Sequence, residues 1–317
     1  MFDPSRRLPS LIAALTACSA IVGAEPKPVP KVQAIPQAHD QVSFQREGIE
    51  ITRYHFGRDG QRPYLFPLIG PSGRSVTRIG HPRDPQGHSH HNSVWISHHS
   101  VQGLSFWEDN RTGGIVHQRM IRMDDGDEVA FVEAENAWLQ KDGSPVLHEL
   151  RRTAVRVLEN GEWILEIDVQ LESRSGEVEL GQTAFGLLAV RMAKTIGVKD
   201  GGGTIRNSEG GVDEAGCFRK PARWVDYSGP IAPGTSEGIT LFDHPSNLNY
   251  PVPFHVRDDG WMGAALTLPD AHTIRLGEPL RLRYALYVHA GIPAFEQIES
   301  RWKAFSGSEF APFPVRK

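Results

Sequence analysis

Between Val129 and Leu171 the chain runs through three extended stretches of alternating side chains, and no other feature limits the fold as much. Val129, Phe131, Val132, Ala134, Ala137 and Trp138 mark the first, which ends at a turn over Lys141-Asp142-Gly143-Ser144. Leu147 to Leu158 alternates loosely, and Asn160-Gly161 then gives the strongest short hairpin signal in the chain. In the third stretch Trp163, Leu165, Ile167, Val169 and Leu171 share one face, while Ile164, Glu166, Asp168, Gln170 and Glu172 share the other. A period of two with one polar face predicts an antiparallel sheet with one wet side. Strands this long in a meander predict a large twisted sheet packed on a second one.

Shorter strands are predicted at 50–56, 63–69, 74–79, 92–99, 115–122, 184–192, 222–227, 237–243, 261–268, 272–276 and 280–289. The 32 Gly and 23 Pro suit the many turns this requires. Helical periodicity is confined to Ile292–Phe305, where Ile298 and Trp302 fall at helical spacing. No fixed-period repeat appears, which argues against a propeller. The expected fold is all-β: a large antiparallel β-sandwich with at most one or two short helices, as a single domain over 42–317.

The amino terminus reads as an address. Arg6 and Arg7 precede an apolar stretch from Leu8 to Ala24, and Val22-Gly23-Ala24 forms a small-residue cleavage site, so 1–24 is expected to be a signal peptide. The chain is therefore expected to be exported, to the periplasm or beyond. Leu15-Thr16-Ala17-Cys18 also resembles a lipobox, giving a lipoprotein alternative anchored through Cys18. Residues 25–41, with Pro26, Pro28, Pro30 and Pro36, read as an extended linker. Later segments lack the length of apolar run needed for a membrane span. A formal net charge of −4 offers no basic field for nucleic acid, and two Cys cannot build a disulfide framework.

Histidine carries the chemistry. Of 14 His, seven fall between His81 and His117. The densest segment runs from Gly87 through His88, His90, His91, Trp95 and His98 to His99, with Arg78 upstream and Trp107 downstream. Three readings stay open. Imidazoles could act in acid–base chemistry on a polyhydroxylated ligand stacked on Trp95 or Trp107, because their pKa lies near working pH. His88 and His90, an H-x-H pair, could hold a divalent metal, although no cofactor is required. The rings could also be ordinary loop and core residues.

Two further segments contribute candidates. Arg191, Asn207, Glu209, Trp224, Asp226 and Tyr227 flank a Gly-rich stretch read as a surface loop, with Glu209 and Asp226 as candidate bases. His244 and Asn247 lie in a Pro-flanked turn.

Arg62-Pro63-Tyr64-Leu65-Phe66-Pro67-Leu68, Val76-Thr77-Arg78, His88-Ser89-His90-His91 through Trp95 and His98, Val101-Gln102-Gly103 with Phe106-Trp107, Trp224 to Gly229, and His244-Pro245-Ser246-Asn247 together resemble the bacterial family known as methane oxygenase PmoA-like, a domain of unknown function. The resemblance spans roughly 50 to 290. Gly87 and Asn92 stand where that family usually has an acidic and a basic residue. It implies a galactose-mutarotase-like supersandwich and a carbohydrate or glycoside ligand. By analogy with such sites, His90 or His98 would be the acid, Glu209 or Asp226 the base, and Arg78 and Arg191 would orient hydroxyls. A non-catalytic carbohydrate-binding module and a metal-dependent oxidoreductase are the alternatives. All of these require His88–His99, Arg191, Glu209 and His244 to meet in one hollow.

Overall fold

The computed structural model describes residues 28–57, 60–80, 88–109 and 112–314. The expected signal peptide, Cys18, His81 and Gly87 lie outside them. Two large antiparallel sheets form the body. The first has nine strands in the order Val32–Gln37, Gln41–Arg46, Ile49–His55, Tyr64–Leu68, Val94–His98, Gly186–Arg191, Trp261–Ala264, Pro253–Arg257 and Lys220–Pro221. The second has eight, in the order Thr204–Asn207, Trp224–Ala232, Thr235–Asp243, Leu280–Ala290, Trp163–Ser173, Pro145–Val157, Val129–Gln140 and Gly113–Asp124. Val94, Ile96, Leu188, Val190 and Met262 from the first sheet join Trp163, Leu165, Ile167, Leu282 and Leu286 from the second in one core. The all-β sandwich expected from the alternation is what the chain adopts.

The Asn160-Gly161 turn joins the two strands it was expected to join, with φ of 56° at Asn160 and 80° at Gly161. Three expectations need correction. The segment expected to be linker up to Gln41 contains a strand, Val32–Gln37. It forms the sheet edge, where Pro36 costs no ladder hydrogen bond on its open side, and Val32 and Ala34 are buried. There are three helices among the described residues, not two at most: Val198–Gly201, Asp213–Cys217 and Phe295–Ser306. The first two are single turns in the stretch read as a Gly-rich loop, too short to leave a helical period in the sequence.

The third correction concerns the polar face of the 163–171 strand, which is mostly covered. Phe295–Ser306 packs on its upper part, where Ile164, Trp224, Phe242, Ala285, Tyr287, Ile298 and Phe305 form a second apolar cluster. Farther along, Asp168 pairs with Arg283 at 2.8 Å and with Arg152 at 3.5 Å. Arg283 and Arg152 in turn donate to the carbonyls of Ser308 and Ala311 in the carboxyl-terminal tail. Alternation reports polarity and cannot report that ion pairs let polar side chains be covered.

Ile298 is fully buried in the second cluster. Ile298→Ala is expected to destabilise the protein by about 2–5 kcal/mol. The check is a urea titration, in which the midpoint falls while the slope is unchanged.

Candidate functional site

The outer face of the nine-stranded sheet, away from the main core, carries a site assembled across five strands. In one row Tyr64 pairs with Trp95, Trp95 with Ala189, Ala189 with Gly263 and Gly263 with His255. The neighbouring row runs Arg191, Trp261, Arg257. Paired residues in a ladder point the same way, so all of these side chains share one face. Ala189 and Gly263 leave the middle of the row shallow. A Cβ on Gly263 would stand 3.2 Å from the Trp261 indole, so glycine there lets the ring lie down over the sheet.

Trp95, Trp107, Ala189 and Trp261 make a separate apolar cluster with Tyr64 against it. Trp107 meets Trp95 at 5.4 Å and Trp261 at 6.2 Å between centroids. The half-exposed Phe185 stands 5.9 Å from Trp107 and 6.1 Å from Trp261. Over this aromatic floor come the histidines. His88 and His91 stack at 4.5 Å, His90 stands edge-on to His91 at 4.6 Å, and His91 stacks on Trp95 at 5.2 Å. The 88–89 backbone rests on Gly80, where any Cβ would collide with the His88 carbonyl. The result is a cavity of about 150 Å³ lined by His88, His90, His91, Trp107, Glu108, Phe185, Arg257 and Trp261.

Arg62 holds the two loops of this pocket together. Its guanidinium donates to the His90 carbonyl at 3.1 Å, Asn92 Oδ1 at 2.7 Å, the Phe106 carbonyl at 2.9 Å and the Trp107 carbonyl at 2.6 Å. Arg62 is 2% exposed. The Asn92 position, where the resembled family usually has a base, is here an acceptor for this clamp.

A charged group closes the other end. Asp259 accepts from Arg191 at 3.0 Å and from Arg257 at 2.7 Å. Asp259 sits in the Asp258-Asp259-Gly260 turn between two strands, with Gly260 at φ 92°. Tyr227 reaches from the other sheet to donate to the Arg257 and Asp258 carbonyls, both at 3.1 Å, fixing this turn. Arg257 Nη1 lies 3.3 Å from His88 Nε2. Because a guanidinium only donates, Nε2 of His88 is the acceptor in this contact, which leaves Nδ1 as the protonated nitrogen.

Burial, reinforced by neighbouring cations, pushes His91 far below the ordinary imidazole value. Burial and then Arg62 push His90 down as well. His255 is lowered to about 4 by burial first and then by Arg219 and Arg257. At neutral pH the site therefore presents uncharged rings. Among the described residues, His91 Nδ1, Trp95 Nε1 and Trp261 Nε1 are buried without a hydrogen-bond partner. No group of three or more His, Cys, Asp or Glu able to hold a metal occurs among the described residues.

The candidates named from sequence thus divide. His88, His90, His91, Trp95, Trp107 and Arg191 come together, and Arg78 adjoins them, its N–H donating to the Arg191 carbonyl at 3.0 Å. His98 does not face the pocket. Its Nδ1 accepts from Ser100 N–H at 3.1 Å and its Nε2 donates to Thr267 Oγ1 at 2.9 Å, in the sheet interior. Asp226 is fully buried in the other sheet and bonded to His289, Arg206, Ser228 and Thr240. Asn207 caps its own loop by accepting from Glu209 and Gly211 N–H, and with Glu209 it lines a different hollow. Trp224 donates to Glu299 under the carboxyl-terminal helix. His244 and Asn247 hold the tail and the 283 strand through Ser308 and Arg283. Sequence reading passed over Glu108, Phe185, His255, Asp259 and Trp261 and gave Arg62 and Arg257 no role in the site. The Asp259-Gly260 hairpin signal could have exposed the 253–264 hairpin.

The family model described as a family of unknown function, DUF6807, matches residues 41–303, and the chain belongs to that family. The PmoA-like label is not the name this model carries. No curated protein matches the chain. Among solved structures, a protein of Escherichia coli K12 provisionally assigned as aldose 1-epimerase aligns with 76% of this chain and 97% of its own, at 11% identity and a TM-score of 0.32. A human-microbiome protein provisionally assigned as kojibiose phosphorylase aligns with 89% of this chain and 37% of its own, at 9% identity and a TM-score of 0.31. Likeness at that level is remote, and the architecture stands on its own strands.

Two predictions follow from this geometry. Arg62→Met removes the donor for four acceptors at once and is expected to cost about 3 kcal/mol or more, read from a denaturant midpoint. The second concerns pH. Burial lowers His98 to about 4. Unfolding restores its ordinary value near 6.5, so between these values the unfolded chain binds the extra proton and stability rises with pH. The contribution is fully present above pH 6.5 and is lost as pH falls toward 4. His98→Asn is expected to flatten the stability–pH curve in that window by up to about 1.4 kcal/mol per pH unit, measured by urea melts across the range.

Proposed function

We propose that this member of the DUF6807 family is an exported carbohydrate-active protein, with one sugar ring held in the pocket of His88, His90 and His91. The observation that carries the reading is the composition of that pocket. Trp107, Phe185 and Trp261 wall a cavity of about 150 Å³ whose polar lining is His88, His90, His91, Glu108 and Arg257. Small-molecule sites characteristically combine apolar, aromatic walls with a few convergent polar groups. A sugar ring offers C–H faces to indoles and hydroxyls to the polar set.

An enzymatic role is supported by the half-buried His90 in the pocket lining, a candidate proton acceptor. His90, which burial lowers, is the ring suited to accept a proton from a hydroxyl or an acidic C–H, whereas His91, pushed far below the ordinary imidazole value, has too little proton affinity for a base and serves as a neutral stacking and hydrogen-bonding ring. In this reading His90 acts as base, where the resemblance implied an acid. Epimerase and lyase chemistry on a keto-sugar or glycoside needs such a base, and an inverting hydrolase uses one to activate water. Asp226, already saturated by His289, Arg206, Ser228 and Thr240, has no lone pair to spare for this task.

The test is a turnover screen on glycosides and 3-keto-glycosides. His90→Ala is expected to lower kcat by about 10²–10⁴-fold, and Trp261→Ala to raise KM. Turnover unchanged in His90→Ala would remove the proposed base. Glycan binding without turnover in the parent protein would make the pocket a binding module.

A further inference from the structure

The pocket has two electrically different ends. At one, Glu108 is in the lining and the carboxylates of Glu108 and Asp109 act on His90. At the other, Arg191 and Arg257 share the single carboxylate of Asp259, each donating to a different oxygen. Two guanidiniums on one carboxylate leave a positive charge over. The charge of Arg78 also reaches Arg191. Arg191 is 1% exposed and sealed beneath the sheet surface, and its Nε has no acceptor among the described residues. Arg257 lines the cavity, with its side chain 34% exposed. It is the cation that a ligand can touch.

The neutral rings fit this picture. His88 is locked by Arg257 in the tautomer that keeps Nδ1–H toward Asp259, 3.8 Å away. His91 lies within the fields of Arg191 and Arg257, which add to burial in keeping it uncharged. Protonating His91 would add a cation beside Arg191 and Arg257, so the charge that faces a ligand is that of Arg257.

We propose that the pocket selects a sugar bearing an anionic group, set against Arg257 at the Asp259 end while the ring lies between Trp107 and Trp261 and hydroxyls face Glu108. This deepens the carbohydrate reading and rests on it. A guanidinium recognises a carboxylate or a phosphate with two parallel N–H donors, so a uronide and a sugar phosphate satisfy the same chemistry.

Calorimetric titration of the full chain with methyl glucoside, methyl glucuronide and glucose 6-phosphate separates these cases. At low salt at least one anionic sugar is expected to bind about tenfold or more tightly than the neutral glucoside, and the preferred anion identifies the source. Added salt is expected to shrink the advantage. Arg257→Gln is expected to abolish it while the thermal midpoint stays near that of the parent. Arg174→Gln, on the outer face of the opposite sheet, is expected to keep it. Neutral glucoside binding as well as both anions, or Arg257→Gln retaining the preference, overturns the charge selection and leaves the carbohydrate reading standing. Binding of none of the three overturns both.

Discussion

Arg62 donates four hydrogen bonds from within the protein, and the site exists because of them. The histidine loop and the Trp107 loop leave the sheet as separate excursions, and neither has a regular backbone ladder to fix it. A buried guanidinium is costly to desolvate, and that cost is offset only when its donors are matched. Here one end of the fork takes His90 and Asn92 from one loop, and the other takes Phe106 and Trp107 from the other. A planar, always charged donor set suits this bridging as lysine would not. The stacked rings of His88, His91 and Trp95 then have a fixed floor on which to lie.

The opposite end of the pocket is built by the same means. Asp259 gathers Arg191 and Arg257, and Tyr227 pins the turn that carries Asp259, from the far sheet. The two layers of the sandwich therefore meet in the site, although only one supplies its lining. Small residues at Ala189 and Gly263 make the hollow, and large ones at Trp95, Trp107 and Trp261 bound it. Apolar walls lower the local dielectric and keep the imidazoles uncharged, so burial that serves packing also sets the chemistry on offer.

Much of the strand pattern was legible beforehand, because alternation follows directly from the pleat. The long meander through Val129, Trp163 and Leu171, its turn at Asn160-Gly161 and the helix near Ile298 all stand where the pattern put them. Some short elements were legible, such as Trp261–Ala264 and His272–Ile274, and others were not. Val178–Leu180, Thr204–Asn207 and Pro253–Arg257 each hold too few residues to show a period. The edge strand at Val32–Gln37 was hidden by proline content that suggests a linker in isolation and suits a sheet edge in context. The covering of the Asp168 face depends on a tail that arrives more than a hundred residues later.

The chain's own order of residues determined a two-layer β architecture and marked the His88–His91 cluster as its chemically dense point, since periodicity and density are local properties. Which carboxylate serves that cluster was decided only by the tertiary structure. Glu209 and Asp226 are near Arg191 in sequence, yet one lines another hollow and the other is buried in the opposite sheet. Asp259, Arg257 and Trp261 arrive from a hairpin some 170 residues away, because strand pairing between Trp95, Ala189 and Gly263 brings those strands side by side. Side-chain partnership across a sheet is set by register, and register is a property of the assembled ladder, not of any one strand.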